Sequence, residues 1–303
     1  MDPRRVLLFR SVARSGSLSA AARELATTQP AVSQQLRALE REAGMPLVLR
    51  GARGITLTEA GQRLLTQADN IAAHLHMAGE ELAGLAQLRA GRVRLVAFPS
   101  AAATLVPDAL AALADDHPGV AVEMVEAEPP EAAVAVRQGA ADVAVVFSYP
   151  DDAADGSGSM LAPDDAGDLA WVPLGDEAVQ LVVARESTIG PSELHRQTWI
   201  AGCPRCRGHL VACCHTAGFE PRISFESDDY VVVQNLVARG LGITALPQLA
   251  LRAFGHPGIA VRESGLFGRR TVGAVHRAGA EHVPATRALL ERLQRSARTA
   301  FAR

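Results

Sequence analysis

The densest set of reactive side chains lies in CPRCRGHLVACCH, residues 203–215. Cys203 and Cys206 have Cys-x-x-Cys spacing, and His209 and Cys213 stand one helical turn apart, with Cys214 and His215 beside them. Thiolate and imidazole are the ligands that tetrahedral zinc prefers, so this stretch could hold a metal. A cysteine at a helix N-terminus can instead be a low-pKa redox sensor. Four ligands drawn from one helix rarely converge on one ion, however, and buried thiols packed between helix and sheet are the third alternative. Other catalytic patterns are lacking. All 30 basic residues are Arg, so a glycine-rich phosphate loop ending in Lys is impossible. His74, His76 and His117 form no triad with a Ser or Asp that spacing can place. The chain is therefore expected to be no enzyme, and neither a cofactor nor a resident metal is expected.

The second constellation is polar. In LATTQPAVSQQLRALEREAG, residues 25–44, Gln29, Ser33, Gln34 and Arg37 fall at i, i+4, i+5 and i+8 and share one exposed side of a helix. Gln and Arg suit base edges and phosphates. Thr27 or Thr28 can cap this helix, and Pro30 is tolerated in its first turn, where its missing N–H has no helical partner. The free N–H groups there, Thr28 included as cap, favour a DNA phosphate. The bland alternative is a solvated helix face.

These residues need elements to hold them. Val6, Leu7, Leu8, Phe9 and Val12 give a first helix over residues 4–14, which Ser15-Gly16-Ser17 stops. Ser19 is expected to cap a second, AAARELA, and Ala26-Thr27 to make a tight connection. The third helix runs from Gln29 to about Glu42 on the stripe Val32, Leu36 and Leu39, with Gly44 as its C-terminal cap. MPLVLRGARGITLTEAG then reads as a hairpin whose turn carries Arg50 and Arg53, placed to reach phosphate or the minor groove. Three helices and such a hairpin make a winged helix-turn-helix.

Thr58 caps a long helix. Leu64, Ala68, Ile71, Leu75, Leu82 and Leu85 recur in steps of three, four and seven, the seam of a coiled coil that pairs with another copy of the chain. An ordinary packed helix is the alternative. Gly91 marks a boundary, beyond which strands and helices alternate as βαβαβ units of an open parallel sheet. Residues 150–168 are acidic and glycine-bearing and read as a mobile loop. RRTVGAVHR, residues 269–277, is a late strand able to return to the first sheet, before a C-terminal helix. Two α/β lobes leave a cleft at strand ends and helix N-termini. Ser100 with the N–H of Ala101, and Phe147 and Ser148, fall there in the first lobe. Gly202, Cys203, Asp228 (read as a helix cap) and Thr244 fall there in the second. Ser100 and Asp228 also fit plain N-caps.

Length and charge agree with a divided chain. The 303 residues suggest two or three domains. Residues 1–60 hold nine Arg against five acids, and residues 91–303 hold 19 Arg against 25 acids, so a basic head joins an acidic body. The N-terminal apolar run is too short for a signal peptide and no stretch matches a membrane span, which gives a cytoplasmic expectation with no membrane partner.

LLFRSVARSGSLSAAARELATTQPAVSQQLRALEREAGMPLVLRGARGITLTEAGQRLL resembles the N-terminal domain of LysR-type transcriptional regulators. Nearly every element of that family's pattern is present: Phe, Gly-Ser, Ala-Ala, Thr-Gln-Pro, Ser, Leu-Glu, Gly-x-Pro-Leu, Arg and Leu-Thr-x-Ala-Gly. Only the wing departs, with Val48-Leu49-Arg50 where the family has Phe-x-Arg. The later order of elements, including LVARGLGITALP, extends the resemblance over the whole chain. It implies a winged helix-turn-helix over residues 1–58, a linker and dimerisation helix over 59–90, and an effector-binding domain over 91–303 like a periplasmic binding protein. Lobe 1 would take about 91–167 and 271–303, and lobe 2 about 168–270. The implied function is sequence-specific binding of a dyad-symmetric operator in double-stranded DNA, controlled by a small-molecule effector between the lobes. The implied partners are a second copy in a dimer or tetramer, and RNA polymerase for an activator. Two rivals remain open at this point: a redox- or metal-responsive regulator sensing through Cys203–Cys214, and an α/β enzyme with a DNA-targeting head.

Overall fold

A computed structural model describes residues 1–51, 54–85, 91–150 and 169–302. The chain divides into two compact units, Met1–Leu85 with Arg137–Ala140, and Ala86–Val136 with Ala141–Arg303.

The first unit holds α1 (Pro3–Ser15), α2 (Leu18–Glu24), α3 (Gln29–Ala43), β1 (Val48–Gly51), β2 (Gly54–Leu57) and α4 (Glu59–Leu85). Gly16, at φ 63°, ends α1 in the left-handed region that glycine adopts freely. Ser17 is then the first residue with extended backbone, and its hydroxyl caps α2 by accepting from Ala20 N–H. The expected cap, Ser19, lies inside that helix instead. Thr28 caps α3, accepting from Ala31 N–H, and Gly44 closes it. Val6, Phe9, Val12, Ala21, Val32, Leu36 and Leu39 form one buried core.

The hairpin β1–β2 is antiparallel, with Val48 opposite Leu57. It is fastened from two sides. The Glu40 carboxylate on α3 accepts from Leu47 N–H at 3.0 Å and Val48 N–H at 3.3 Å. The Thr58 hydroxyl donates to Pro46 C=O and accepts from Gly61 N–H, capping α4 as expected. Gly61 lies so close to β1 that a Cβ there would stand 2.1 Å from Leu47 C=O. Asp69, buried on α4, accepts from Arg10 Nε at 2.7 Å and Arg14 Nη2 at 2.9 Å and so ties α4 to α1.

The second unit runs β3 (Gly91–Ala97), α5 (Pro99–Ala102), α6 (Leu105–Asp116), β4 (Val120–Glu126), α7 (Pro129–Arg137), β5 (Val143–Ser148), β6 (Leu169–Ala184), β7 (Thr198–Ala201), α8 (Pro204–Thr216), β8 (Arg222–Glu226), α9 (Tyr230–Ala238), β9 (Thr244–Pro247), α10 (Gln248–Ala253), β10 (Ile259–Arg262), β11 (Arg269–Arg277) and α11 (Pro284–Phe301). The sheet order is β10-β6-β11-β5-β3-β4, with β9 also on β6. β3 is parallel to β4 and β5, as expected, whereas β11 is antiparallel to β5 and β6. β11 does return to the first sheet.

One strand serves both lobes. The first part of β6 pairs with β11, and its continuation from Val179 pairs with β9 and β10. The sequence pattern suggests a strand only at AVQLVVA, residues 178–184. A register shift between Val272 and Gly273 accommodates the Pro173 region. Gly273 admits the Trp171 ring, which would lie 2.1 Å from a Cβ there. α5, α10 and β10, at four to six residues, are too short for periodicity to announce. In lobe 2, β7 and β8 are parallel, and Trp199 bridges to Ile243.

Candidate nucleic-acid interface and ligand cleft

Thr28, Gln29, Pro30, Gln34 and Arg37 are exposed along the front of α3. Ser33 is not. It is buried, because it follows Val32 and precedes Leu36 by three positions and so sits on the flank of the apolar stripe. Its hydroxyl accepts from Arg37 Nη2 at 3.1 Å, which steers the arginine rather than presenting the serine. Arg50 lies in β1, but its side chain falls outside the described residues, as does all of Arg53.

The apolar row on α4 splits in two. Ala68 is fully buried and Leu64 half-buried against the core of the helix-turn-helix itself. Ile71, Leu75 and Leu82 are exposed. The side chain of Leu85 and the whole of residues 86–90 lie outside the described residues. The expected seam is thus used at its N-terminal end by the head.

In the second unit a cleft of about 610 Å³, mouth included, opens at the ends of β3, β5, β7 and β9. Phe98, Ser100, Glu128 and Phe147 line one wall, and Gly202, Cys203, Cys206, Asp228, Tyr230 and Thr244 the other. Six of the eight residues expected here are therefore in place. Ala101 turns into the core, and Ser148 is absent from the wall because strand alternation points it away from the side that Phe147 faces. Asp228 lines the mouth but does not cap α9. Asp229 does, accepting from Val231 and Val232 N–H. The Thr244 hydroxyl is spent on Ile200 C=O at 2.8 Å.

The floor of the cleft contains residues that sequence reasoning missed. Arg270 lines it, buried, and is paired with Glu177 at 2.8 Å. Its Nη2 also donates to Ser100 Oγ at 3.0 Å, and its guanidinium lies 4.2 Å from the Phe147 ring centre. Ser100 Oγ thereby accepts from a cation, and its own O–H is still a donor. Burial is the largest influence on Arg270 and works against its charge, but Glu177, Tyr149 and Cys206 together outweigh it and raise the guanidinium above its ordinary value. The signal was legible: alternation in RRTVGAVHR puts Arg270 on the face of Val272 and Ala274. Burial, reinforced by Asp228, raises the Glu128 carboxyl above the usual range, against a lowering bond to Cys203.

Cys203 and Cys206 meet at the start of α8, sulfur to sulfur at 3.1 Å. His209 stacks on Tyr149, with ring centres 3.8 Å apart, and its Nε2 lies 2.8 Å from Phe267 C=O. Cys213 and Cys214 are buried in the core. None of the four cysteines, Cys203, Cys206, Cys213 and Cys214, is in a disulfide. Among the described residues no group of three or more His, Cys, Asp or Glu is placed to hold a metal ion. The helix sends Cys206 to the cleft and Cys213 to the core, so the set does not converge. No described helix is long and apolar enough to cross a membrane.

A helix-turn-helix head followed by a two-lobed α/β domain with a cleft defines a DNA-binding transcriptional regulator with an effector-binding domain. Residues 3–62 match the bacterial regulatory helix-turn-helix protein of the lysR family, and residues 86–298 the LysR substrate binding domain. The chain belongs to the LysR family of transcriptional regulators. A probable HTH-type transcriptional regulator, LrrA of Synechococcus elongatus, is 29% identical over 98% of both chains. Two solved structures share the fold. Full-length OxyR of Pseudomonas aeruginosa, as a variant, has a TM-score of 0.69 at 22% identity, covering 98% of this chain and 95% of that one. Full-length CbnR complexed with its target DNA has a TM-score of 0.61 at 22% identity, covering 98% and 100%.

Proposed function

We propose that the chain binds a dyad-symmetric operator as a homodimer or a tetramer built from two dimers, and that a small molecule in the cleft sets its activity without being turned over. Thr28, Gln29, Pro30, Gln34 and Arg37 meet the DNA directly, with Ser33 orienting Arg37 and the wing arginines Arg50 and Arg53 on the backbone. Ile71, Leu75 and Leu82 carry the pairing of two chains in the helix between head and body, with Leu85 continuing the row. RNA polymerase is the further partner where the regulator activates. In this reading residues 1–58 are the DNA-binding head, 59–90 the linker and dimerisation helix and 91–303 the effector-binding domain. All of this would take place in the cytoplasm.

The observation that carries the reading is the exposed Gln34 and Arg37 at the front of a capped α3, on the same chain as the cleft. The chemistry of the cleft also limits its ligand. Its buried cation is already neutralised by Glu177, and Glu128 and Asp228 face the same space. A carboxylate ligand would meet the acids Glu128 and Asp228 there. A ligand with an apolar body for Phe98 and Phe147 and an N–H donor for Glu128 fits better. An effector shifts the protein only by its differential affinity for two arrangements of the lobes.

Selection of genomic fragments by the purified protein tests the reading, with Gln34→Ala and Arg37→Ala as controls. Enrichment of a dyad-symmetric site that both controls lose is expected. Recovery of sequences no better than random at moderate salt would remove it.

A further inference from the structure

Two thiols in the cleft wall are arranged for more than packing. Cys203 Sγ donates to Cys206 Sγ at 3.1 Å, and Cys206 N–H points back at Cys203 Sγ at 3.5 Å. Cys206 also accepts from the Tyr149 hydroxyl at 3.6 Å, a group that follows β5 in the other lobe. The site opens α8, a helix of 13 residues, whose N-terminal dipole favours negative charge. The Cys203 thiol, the Arg270 guanidinium and the Tyr149 hydroxyl together lower the Cys206 thiol below its ordinary range. The same bond raises Cys203, which keeps the proton. Cys214 in the same helix shows the contrast: burial, with Cys213 and Glu220 nearby, pushes it up to about 12. Cys206 is thus the more readily ionised of the two thiols, and a resolving thiol stands 3.1 Å away.

We propose that Cys203 and Cys206 are a reversible dithiol–disulfide pair that exchanges with small-molecule disulfides and thereby sets the state of the cleft. The inference rests on the reading that the cleft controls operator binding. The Cys206 thiolate attacks one sulfur of RSSR. The S–S bond of the reagent breaks, a mixed disulfide forms and RS⁻ leaves, taking the proton of Cys203. The Cys203 thiolate then attacks the Cys206 sulfur and expels the second RS⁻, which is protonated from water. Two protein thiols lose two electrons, and RSSR becomes two RSH. The sulfurs close from 3.1 Å to about 2.05 Å, a small movement within one helical turn. Oxidation removes the ionisable thiol of Cys206, which Arg270 favours as an anion and which receives the Tyr149 hydroxyl. A polar tie between the two lobes is lost, and the balance between their arrangements shifts.

The test equilibrates full-length protein in a series of oxidised and reduced glutathione mixtures. Free thiols are alkylated and the peptides weighed, and the affinity for a selected genomic fragment is measured in the same mixtures. The expected product is a Cys203–Cys206 cross-link with Cys213 and Cys214 alkylated after unfolding. Affinity should change roughly fivefold or more with the same midpoint. Cys203→Ser and Cys206→Ser should abolish both the cross-link and the redox dependence. Full alkylation of Cys203 and Cys206 in the most oxidising mixture would overturn the proposal, as would a cross-link that forms while affinity stays flat. A protein that selects no fragment in either state fails the operator reading instead, and the cross-link is then scored by mass alone.

Discussion

Arg270 and Glu177 stand directly opposite each other on β11 and β6 and form an ion pair at 2.8 Å, with side chains only 2% and 0% exposed. β6 passes from one lobe to the other just beyond this pair. Glu177 also accepts from Leu249 N–H at 2.6 Å, fixing the start of α10, and Arg270 packs against both the Phe98 and Phe147 rings. The pair therefore fixes the floor of the cleft from both lobes. Removing one partner leaves a buried charge uncompensated, at a cost of about 3–5 kcal/mol. Glu177→Gln should lower the denaturant midpoint of the effector domain strongly. Replacing both residues by apolar ones of similar volume, Arg270→Met with Glu177→Leu, should cost less than either single change. Midpoints equal to wild type in the single variants would show that the pair contributes nothing to stability.

Arg37 is exposed on α3 but tethered by Ser33. Its removal should cost operator affinity about 1–3 kcal/mol with relaxed specificity if it reads a base edge. A uniform loss with a salt slope reduced by about one would mean a phosphate contact. Ser33→Ala frees the guanidinium without deleting it, so its effect should be the smaller of the two. Titrations of fragment binding at several salt concentrations separate these cases. If Ser33→Ala costs more than Arg37→Ala, Ser33 acts through packing and not through the arginine.

Glu40 accepts from two consecutive backbone N–H groups, Leu47 and Val48, at the base of the hairpin. Glu40→Ala strands both donors in a half-buried place, and the expected cost is about 1–3 kcal/mol. Glu40→Gln keeps an acceptor oxygen and should recover most of it. Urea unfolding followed by the helix signal of the first unit measures both. Equal losses in the two variants would mean that charge, not the hydrogen bonds, is what matters there.

The head was legible because local rules suffice. Thr28 and Gly44 delimit α3 by their own backbone preferences, and Val32, Leu36 and Leu39 repeat at helical spacing. Ser33 was misread because an edge position of the stripe looks polar in sequence and is decided by what packs across it. The cleft was legible only in outline. Ser100, Phe147, Gly202 and Cys203 were found because strand ends and helix starts announce themselves. Glu177 and Arg270 are 93 residues apart and meet through the antiparallel pairing of β6 with β11, which no local pattern specifies. Asp228 and Asp229 show the limit on a finer scale: either could cap α9, and only the backbone at Asp229 decides.

Burial and the nearby Asp228 raise the Glu128 carboxyl above its ordinary range. A carboxyl that holds its proton more tightly when folded favours the fold fully below its unfolded pKa, and that contribution is lost as pH rises through the folded value. Wild type should therefore lose stability relative to Glu128→Gln between the ordinary carboxylate range and neutral pH. The variant should be the more stable of the two at pH 7. Melting temperatures across pH 4 to 7 give the comparison, and parallel curves would show that Glu128 ionises without penalty.

On α4, Leu75 is 59% and Leu82 67% exposed, seven positions apart on one side of a helix of 27 residues, about 40 Å long. Ala68, seven positions before Leu75, is already buried by the head, so the unpartnered part of the row begins at Ile71. Large apolar side chains repeating at this spacing are what a second helix covers in a coiled coil. Leu75→Glu with Leu82→Glu places like charges across such a seam, and the assembly should fall apart. Sedimentation of the double variant should give a smaller species than wild type, with weaker binding to a two-half-site operator and unchanged melting of the effector domain. An unaltered sedimentation coefficient would move the self-association to another surface. A loss of effector-domain stability instead would mean that these leucines pack within their own chain.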